Sequence, residues 1–170
     1  MNDEKRKIAY FAGLSAFIGV IENFIPLPIP FLRLGLSNIP VCFSFTLFNF
    51  FECLFIVLFK VIFSHLFKGT VFSYVFLIAL SGNLLFILIC YPFYQLFKKN
   101  ISFISLSVVG AFAHNFGQII VASFFIPQTP LFYFGLLLVS IGIILGFVNG
   151  IICNIINNKV FIKYFVKKTN

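Results

Sequence analysis

The segment GAFAHNFGQII (Gly110–Ile120) places three polar side chains inside a strongly apolar stretch of the chain. His114 and Gln118 are four residues apart, so a helix carries them on one face, whereas Asn115 projects about 100° away. Lipid cannot solvate such groups, so each must face protein, cavity water or a ligand. Two interpretations follow: contact with a ligand or substrate, and interhelical hydrogen bonds that fix a bundle.

A second polar position lies in the preceding apolar stretch, in the triplet Ser81-Gly82-Asn83. Counting along both stretches places Asn83 at a depth similar to that of His114. The sequence therefore predicts that Asn83 meets the His114 cluster inside the bundle.

Charged residues form a third group, near the predicted outer side. Glu22 ends the first apolar stretch, Arg33 and Asn38 flank the string LRLGLSN, and Lys60 lies about 9 Å below the outer end of its helix. Lys60 is predicted to snorkel outward, and Glu22 to pair with Arg33 or Lys60. Together with Lys68, the cations outnumber Glu22, and a cleft with surplus positive charge suits a phosphate or carboxylate. For Arg33 and Lys68, solvated loop cations are the alternative.

The residue types that are missing exclude several kinds of chemistry. Asp3 is the only aspartate, so no aspartate-rich cluster can hold Mg²⁺ on a diphosphate. There is no phosphate-binding loop and no nucleophile elbow. We expect no catalysis, no cofactor and no metal. The cysteines are far apart in apolar runs and are expected to be buried and unpaired; they are Cys42, Cys53, Cys90 and Cys153.

The composition predicts an integral membrane protein that is all-α. The chain has 170 residues, 61% of them hydrophobic and 9% charged, and a mean hydropathy of +1.11. Hydropathy and turn signals predict one transmembrane domain of six helices, with short tails at residues 1–7 and 157–170. The predicted helices are about 8–24, 36–50, 51–66, 71–97, 101–125 and 131–156.

Basic residues decide between six crossings and five. With six, every basic cluster lies on the cytoplasmic side, as the positive-inside rule requires; the clusters are Lys5-Arg6-Lys7, Lys98-Lys99 and the C-terminal Lys159, Lys163, Lys167 and Lys168. Both termini are therefore predicted to be cytoplasmic, in a multi-pass protein of the cell membrane. The net charge of +8 is explained by topology and attraction to anionic lipid, and does not indicate nucleic-acid binding.

Small residues recur at a four-residue step on two helices. The first helix carries Ala12 and Ala16, and the last carries Gly142, Gly146 and Gly150. Such ridges let two helix backbones approach closely. Internal packing and a docking face for a partner membrane protein are both compatible with them.

Three stretches, in order, resemble the family named heptaprenyl diphosphate synthase component I, also called the Gx transporter family. They are ENFIPLPIPFLRLGLSNIP (Glu22–Pro40), FKGTVFSYVFLIALSGNLL (Phe67–Leu85) and GAFAHNFGQIIVA (Gly110–Ala122). That family is similar to the S components of energy-coupling factor transporters, which are six-helix bundles. The resemblance implies an outward-facing pocket for a small solute, and small residues on the first helix that dock on a transmembrane coupling subunit working with ATPases.

The resemblance also implies which residues are the family's polar positions. They are Glu22, Arg33, Asn38, Asn83, His114, Asn115 and Gln118. Arg33 departs from the lysine expected in many relatives, and its planar fork is not equivalent to an ammonium. The family name points to an alternative function, a non-catalytic membrane partner of a prenyl diphosphate synthase. A purely structural scaffold is a third possibility.

Overall fold

The computed structural model describes residues 3–25 and 32–158 as helices joined by short connections. Within these ranges there is no strand, and the helices are α1 (Asp3–Asn23), α2 (Asn38–Ser44), α3 (Phe50–Lys68), α4 (Tyr74–Phe97), α5 (Phe103–Ala122) and α6 (Gln128–Ile156), with a 3₁₀ turn at Lys98–Asn100. Residues 26–31, which contain three of the prolines, and the lysines from Lys159 onward lie outside the described residues. The all-α prediction is confirmed.

Four helices are long and apolar enough to cross a membrane: α3, α4, α5 and the part of α6 from Phe132 to Ile156. Each is mostly unburied within the protein, which leaves apolar surface for lipid. The chain is therefore a membrane protein.

The ends of α3 follow from local chemistry. Asn49 accepts a hydrogen bond from the backbone N–H of Glu52, and the Glu52 carboxylate accepts one from that of Asn49, which forms a capping box. At the other end Gly69 has φ 70° and its N–H bonds back to the carbonyls of His65 and Leu66. Glycine adopts this left-handed conformation without strain, so α3 ends at Lys68, inside the predicted break between 66 and 71.

The second helix is much shorter than predicted. It was expected to run over 36–50, but α2 contains seven residues and is followed by turns. Pro40 is tolerated because it lies in the first turn, where no backbone donor is needed. The Ser44 hydroxyl donates to the Val41 carbonyl at 2.6 Å and competes with further helical bonds.

The first helix begins earlier than predicted. Residues 1–7 were expected to form a tail, yet α1 starts at Asp3, and Arg6 lies 3.5 Å from the Asp3 carboxylate. Asp3 and Glu4 in the first turn complement the positive end of the helix dipole. The prediction missed this turn because it followed hydropathy alone.

The helices pack around the short α2. Helix α5 contacts both α4 and α6, while α3 contacts α1 and α4. After α2 the chain turns inward: Phe45 packs on Phe86 of α4, and Phe48 packs on Phe11 of α1 with ring centroids 5.7 Å apart. The chain from α2 to Phe48 is thus enclosed by the longer helices.

One edge of α3 carries a column of phenylalanines spaced four residues apart. Phe55 contacts Phe59, Phe59 stacks on Phe63 with ring planes 16° apart, and Phe63 contacts Phe67. Phe55, Phe59 and Phe67 are exposed. We call this row the phenylalanine column.

Candidate functional site

A cavity of about 50 Å³ lies between the connection before α2 and the helices α2 to α6, and several polar side chains line it. It is lined by six of the eight predicted binding residues: Arg33, Asn38, Lys60, Asn83, His114 and Asn115. They come from α2, α3, α4, α5 and the segment before α2. Among the described residues that line the cavity, none is Asp or Glu.

Residues 32–37, which we call the connecting segment, lead from α1 to α2 and are fixed by Glu22. The Glu22 carboxylate accepts the backbone N–H of Leu36 at 2.7 Å and that of Ser37 at 3.4 Å. Glu22 is buried and lies outside the cavity lining. The predicted ion pair with Arg33 or Lys60 is wrong: no contact within 4 Å joins these charges in the described ranges. Backbone donors satisfy the carboxylate instead.

Arg33 ties the connecting segment to the C-terminal end of α3. Its Nη2 lies 2.9 Å from Nε2 of His65, and Nδ1 of His65 lies 2.8 Å from the Thr70 hydroxyl. An arginine only donates, so Nε2 accepts and Nδ1 carries the proton that goes to Thr70. Burial lowers the pKa of Arg33 from its usual value and the Glu22 carboxylate opposes this. Arg33 is thus a partly enclosed cation, unlike the exposed Lys68.

Lys60 points into the protein. Its side chain is 4% exposed, and its ammonium donates to Oδ1 of Asn38. The predicted outward snorkelling is therefore wrong. Lys60 shares the inward face of α3 with the buried Ile56 and Ser64, and Asn38 offers an acceptor on that side.

Asn83 and His114, which line the cavity, each have a buried atom without a hydrogen-bond partner. Asn83 Nδ2 donates to the Ala79 carbonyl at 2.8 Å, while Asn83 Oδ1 and His114 Nδ1 make no hydrogen bond. Burying such groups unpaired costs about 1–3 kcal/mol each. As predicted, Asn83 and His114 lie around one site.

Gln118 is one turn further along α5 and does not line the cavity. It is 2% exposed, its Oε1 makes no hydrogen bond, and its side chain packs against Gly82 of α4. Asn115 faces the other neighbouring helix and donates to the Leu138 carbonyl at 2.9 Å. The two faces of the polar motif thus serve α4 and α6.

The small-residue ridges lie at internal contacts. Ala12 and Ala16 are 3% and 1% exposed. On α6, a Cβ at Gly142 would meet the Asn115 amide, one at Gly146 would lie 2.7 Å from Ala111, and Gly150 packs on the backbone of α5. Internal packing accounts for these residues, and a partner-docking role for them stays a prediction.

Two residues of the site were missed by the sequence analysis. Asn149 lines the cavity and donates to the Leu34 carbonyl at 2.7 Å, and His65 holds Arg33. Asn149 carries the same signal as Asn83, an amide inside an apolar stretch, and lies directly before Gly150 of the small-residue ridge. The only signal of His65 in the sequence is that it is a histidine near the end of a predicted helix.

Within the described ranges, no group of three His, Cys, Asp or Glu side chains is placed to hold a metal ion. All four cysteines are buried and free.

Comparison with known proteins places this architecture in a family. The model of the family described as heptaprenyl diphosphate synthase component I matches residues 11–156. The chain belongs to this family. No curated protein and no solved structure matches the chain. The heptaprenyl diphosphate synthase component I match contains α2 to α6, most of α1 and every residue that lines the cavity. It confirms the resemblance carried by the three sequence stretches.

Replacing Glu22 by glutamine is expected to loosen the connecting segment. The amide oxygen still accepts a hydrogen bond, but the charge that strengthens the bonds to Leu36 and Ser37 is lost, about 1 kcal/mol. Hydrogen exchange of the full chain in nanodiscs should show those two amides exchanging about fivefold faster. Glu52→Gln is the matched control, since it should affect the start of α3 only. Unchanged exchange at Leu36 and Ser37 would contradict the anchoring role of Glu22.

Proposed function

We propose that this protein captures a small anionic solute from the outer side of the cell membrane, as the solute-binding subunit of a transporter similar to the S components. The observation that carries the proposal is the cavity with Lys60 and Arg33 in its lining, no carboxylate among the described lining residues, and two buried polar atoms without partners. A bound solute would supply both the negative charge and the missing hydrogen bonds.

The size of the cavity limits the solute. A water needs about 10–15 Å³ measured in the same way, so about 50 Å³ holds only a few water-sized groups. A phosphate, a carboxylate or a short acid fits such a volume. A prenyl chain does not.

The proposed topology has six crossings with both termini in the cytoplasm. The four long apolar helices support it, and α1 with the α2 region would supply the other two crossings. Because the cavity lining contains nothing that hydrolyses ATP, movement of the solute would need a transmembrane coupling subunit with ATPases.

Identification of the bound solute tests the proposal. The full chain, purified from native membranes into nanodiscs, should release a phosphate- or carboxylate-bearing small molecule detectable by mass spectrometry. His114→Ala should reduce its occupancy about tenfold, because one buried contact to the solute is lost. Phe116→Ala, on the exposed face of the same helix, is the control. Absence of any such molecule from the wild type, or equal recovery from His114→Ala, would refute solute capture.

The family description favours a second candidate, a non-catalytic membrane component of a prenyl diphosphate synthase. It predicts that the chain copurifies with a soluble, aspartate-rich synthase whose activity falls when the chain is absent. Copurification with ATPases and a membrane coupling subunit is the result expected for the transporter. A structural scaffold predicts neither, with polar substitutions in α5 lowering stability alone.

A further inference from the structure

The polar side chains that line the cavity fall into two groups by their chemistry, not by their position. Lys60, Arg33 and Asn38 form one group, which we call the donor wall. The other group, which we call the acceptor wall, contains an asparagine from each of the three C-terminal helices: Asn83, Asn115 and Asn149.

The donor wall is named for the atoms of its side chains that can donate a hydrogen bond. Lysine and arginine have no acceptor atom. The Lys60 ammonium donates to Oδ1 of Asn38, which fixes the Asn38 amide with its oxygen toward Lys60 and leaves its nitrogen as a further donor. Two cations and an amide nitrogen therefore favour an oxyanion on this wall.

The acceptor wall follows from the partners of its amides. The nitrogens of Asn83, Asn115 and Asn149 donate to the backbone carbonyls of Ala79, Leu138 and Leu34, respectively. A carbonyl only accepts, so these partners fix which end of each amide is nitrogen, independently of how the amides were placed. Each amide oxygen is thereby turned away from that carbonyl.

Among the residues of the acceptor wall, Asn83 has the clearest need for a hydrogen-bond donor from a ligand. Its oxygen is buried, has no partner and can only accept a hydrogen bond. An oxyanion that carries no proton, such as sulfate or acetate, would satisfy the donor wall but would bring no hydrogen to this oxygen. The site then retains a desolvated, unpaired acceptor, which weakens binding.

We propose that the solute is a small carboxylate that carries its own hydrogen-bond donor, a hydroxyl or an ammonium group, next to the carboxylate. The carboxylate lies against Lys60 and Arg33, and the donor group bonds Oδ1 of Asn83. This inference rests on the proposed function and narrows its ligand class. A two- or three-carbon acid of this kind agrees with a volume of about 50 Å³.

The test compares probes that differ only in the donor group. Radiolabelled acetate, glycolate and glycine, with sulfate as a plain oxyanion, are bound to the full chain in nanodiscs. Glycolate or glycine is expected to bind at least about tenfold more tightly than acetate, the effect of one buried hydrogen bond. Asn83→Leu should remove this preference, while Asn100→Leu, outside the cavity, should change nothing.

The wild-type comparison decides the matter even if Asn83→Leu fails to fold. Equal affinity for acetate, glycolate and glycine overturns the donor requirement but leaves capture of an anion standing. Binding of sulfate alone does the same. If none of the probes binds and no anion copurifies from native membranes, both the inference and the proposed function fail. Which of glycolate and glycine binds more tightly identifies the donor as hydroxyl or ammonium.

Discussion

Lys60→Met is expected to reduce solute binding at least about thirtyfold while leaving the folded protein intact. An ion pair buried between the ammonium and the solute's oxyanion is worth about 2–5 kcal/mol when one partner is removed. In the empty protein Lys60 is an enclosed cation with one described acceptor, Asn38, so an apolar side chain of similar length costs little or stabilises. Binding and the apparent Tm, measured on the same nanodisc sample, should therefore change independently.

Lys68→Met is the matched control, because Lys68 is exposed at the end of the same helix. It should bind solute as the wild type does. Lys60→Arg keeps the charge but brings a larger, planar head to a small cavity, so it should restore only part of the affinity. If Lys60→Met binds the solute as tightly as the wild type does, Lys60 does not contact the solute. An anion held on the donor wall would then be excluded as well. A fall in Tm of more than about 10 °C would indicate that Lys60 has a structural role instead.

Gly150→Ala is expected to cause the largest loss of stability among single-methyl additions to α6. The new Cβ would meet the Ile104 backbone and would lie 3.1 Å from the Phe103 carbonyl oxygen, and a backbone cannot move aside as a flexible side chain does. The helices must separate at this point, at a cost of about 3 kcal/mol. Gly135→Ala is the control on the same helix, because its Cβ would lie 3.3 Å from the mobile end of Ile119.

Recovery of monodisperse protein after heating in detergent measures this effect. The Gly150→Ala protein should aggregate at a clearly lower temperature than the Gly135→Ala protein. If both variants behave alike, the close approach of α6 to α5 does not limit stability. In that case internal packing does not account for the glycines of α6, and the partner-docking role that the sequence also allowed is favoured.

The sequence predicted the helices whose signals are local. The break at Gly69 depends on one residue able to adopt a positive φ, and hydropathy alone defines the long apolar helices α3 to α6. The region between α1 and α3 was harder, because α2 is held by its surroundings. It ends at Ser44 and is enclosed by longer helices, and neither fact has a periodic signature.

The sequence was a better guide to the side chains that surround the cavity than to the hydrogen-bond and ion-pair partners of those side chains. Polar groups in apolar stretches are rare enough to be informative, and this alone identified Asn83, His114 and Asn115. The partner of Glu22 could not be deduced, because backbone amides compete with cations and only the fold determines which is nearer. Lys60 was misjudged for the same reason, since snorkelling is favoured only when no buried acceptor lies within reach.

The phenylalanine column gives α3 an exposed aromatic surface in addition to its buried lysine. Lys60 is buried on the face of α3 that packs on the protein, while the rings of Phe55 and Phe59 are exposed on another face. An anion that approaches α3 from its exposed face therefore meets aromatic carbon before it reaches the ammonium. The charge of Lys60 is shielded on that side and is presented to the cavity that Lys60 lines.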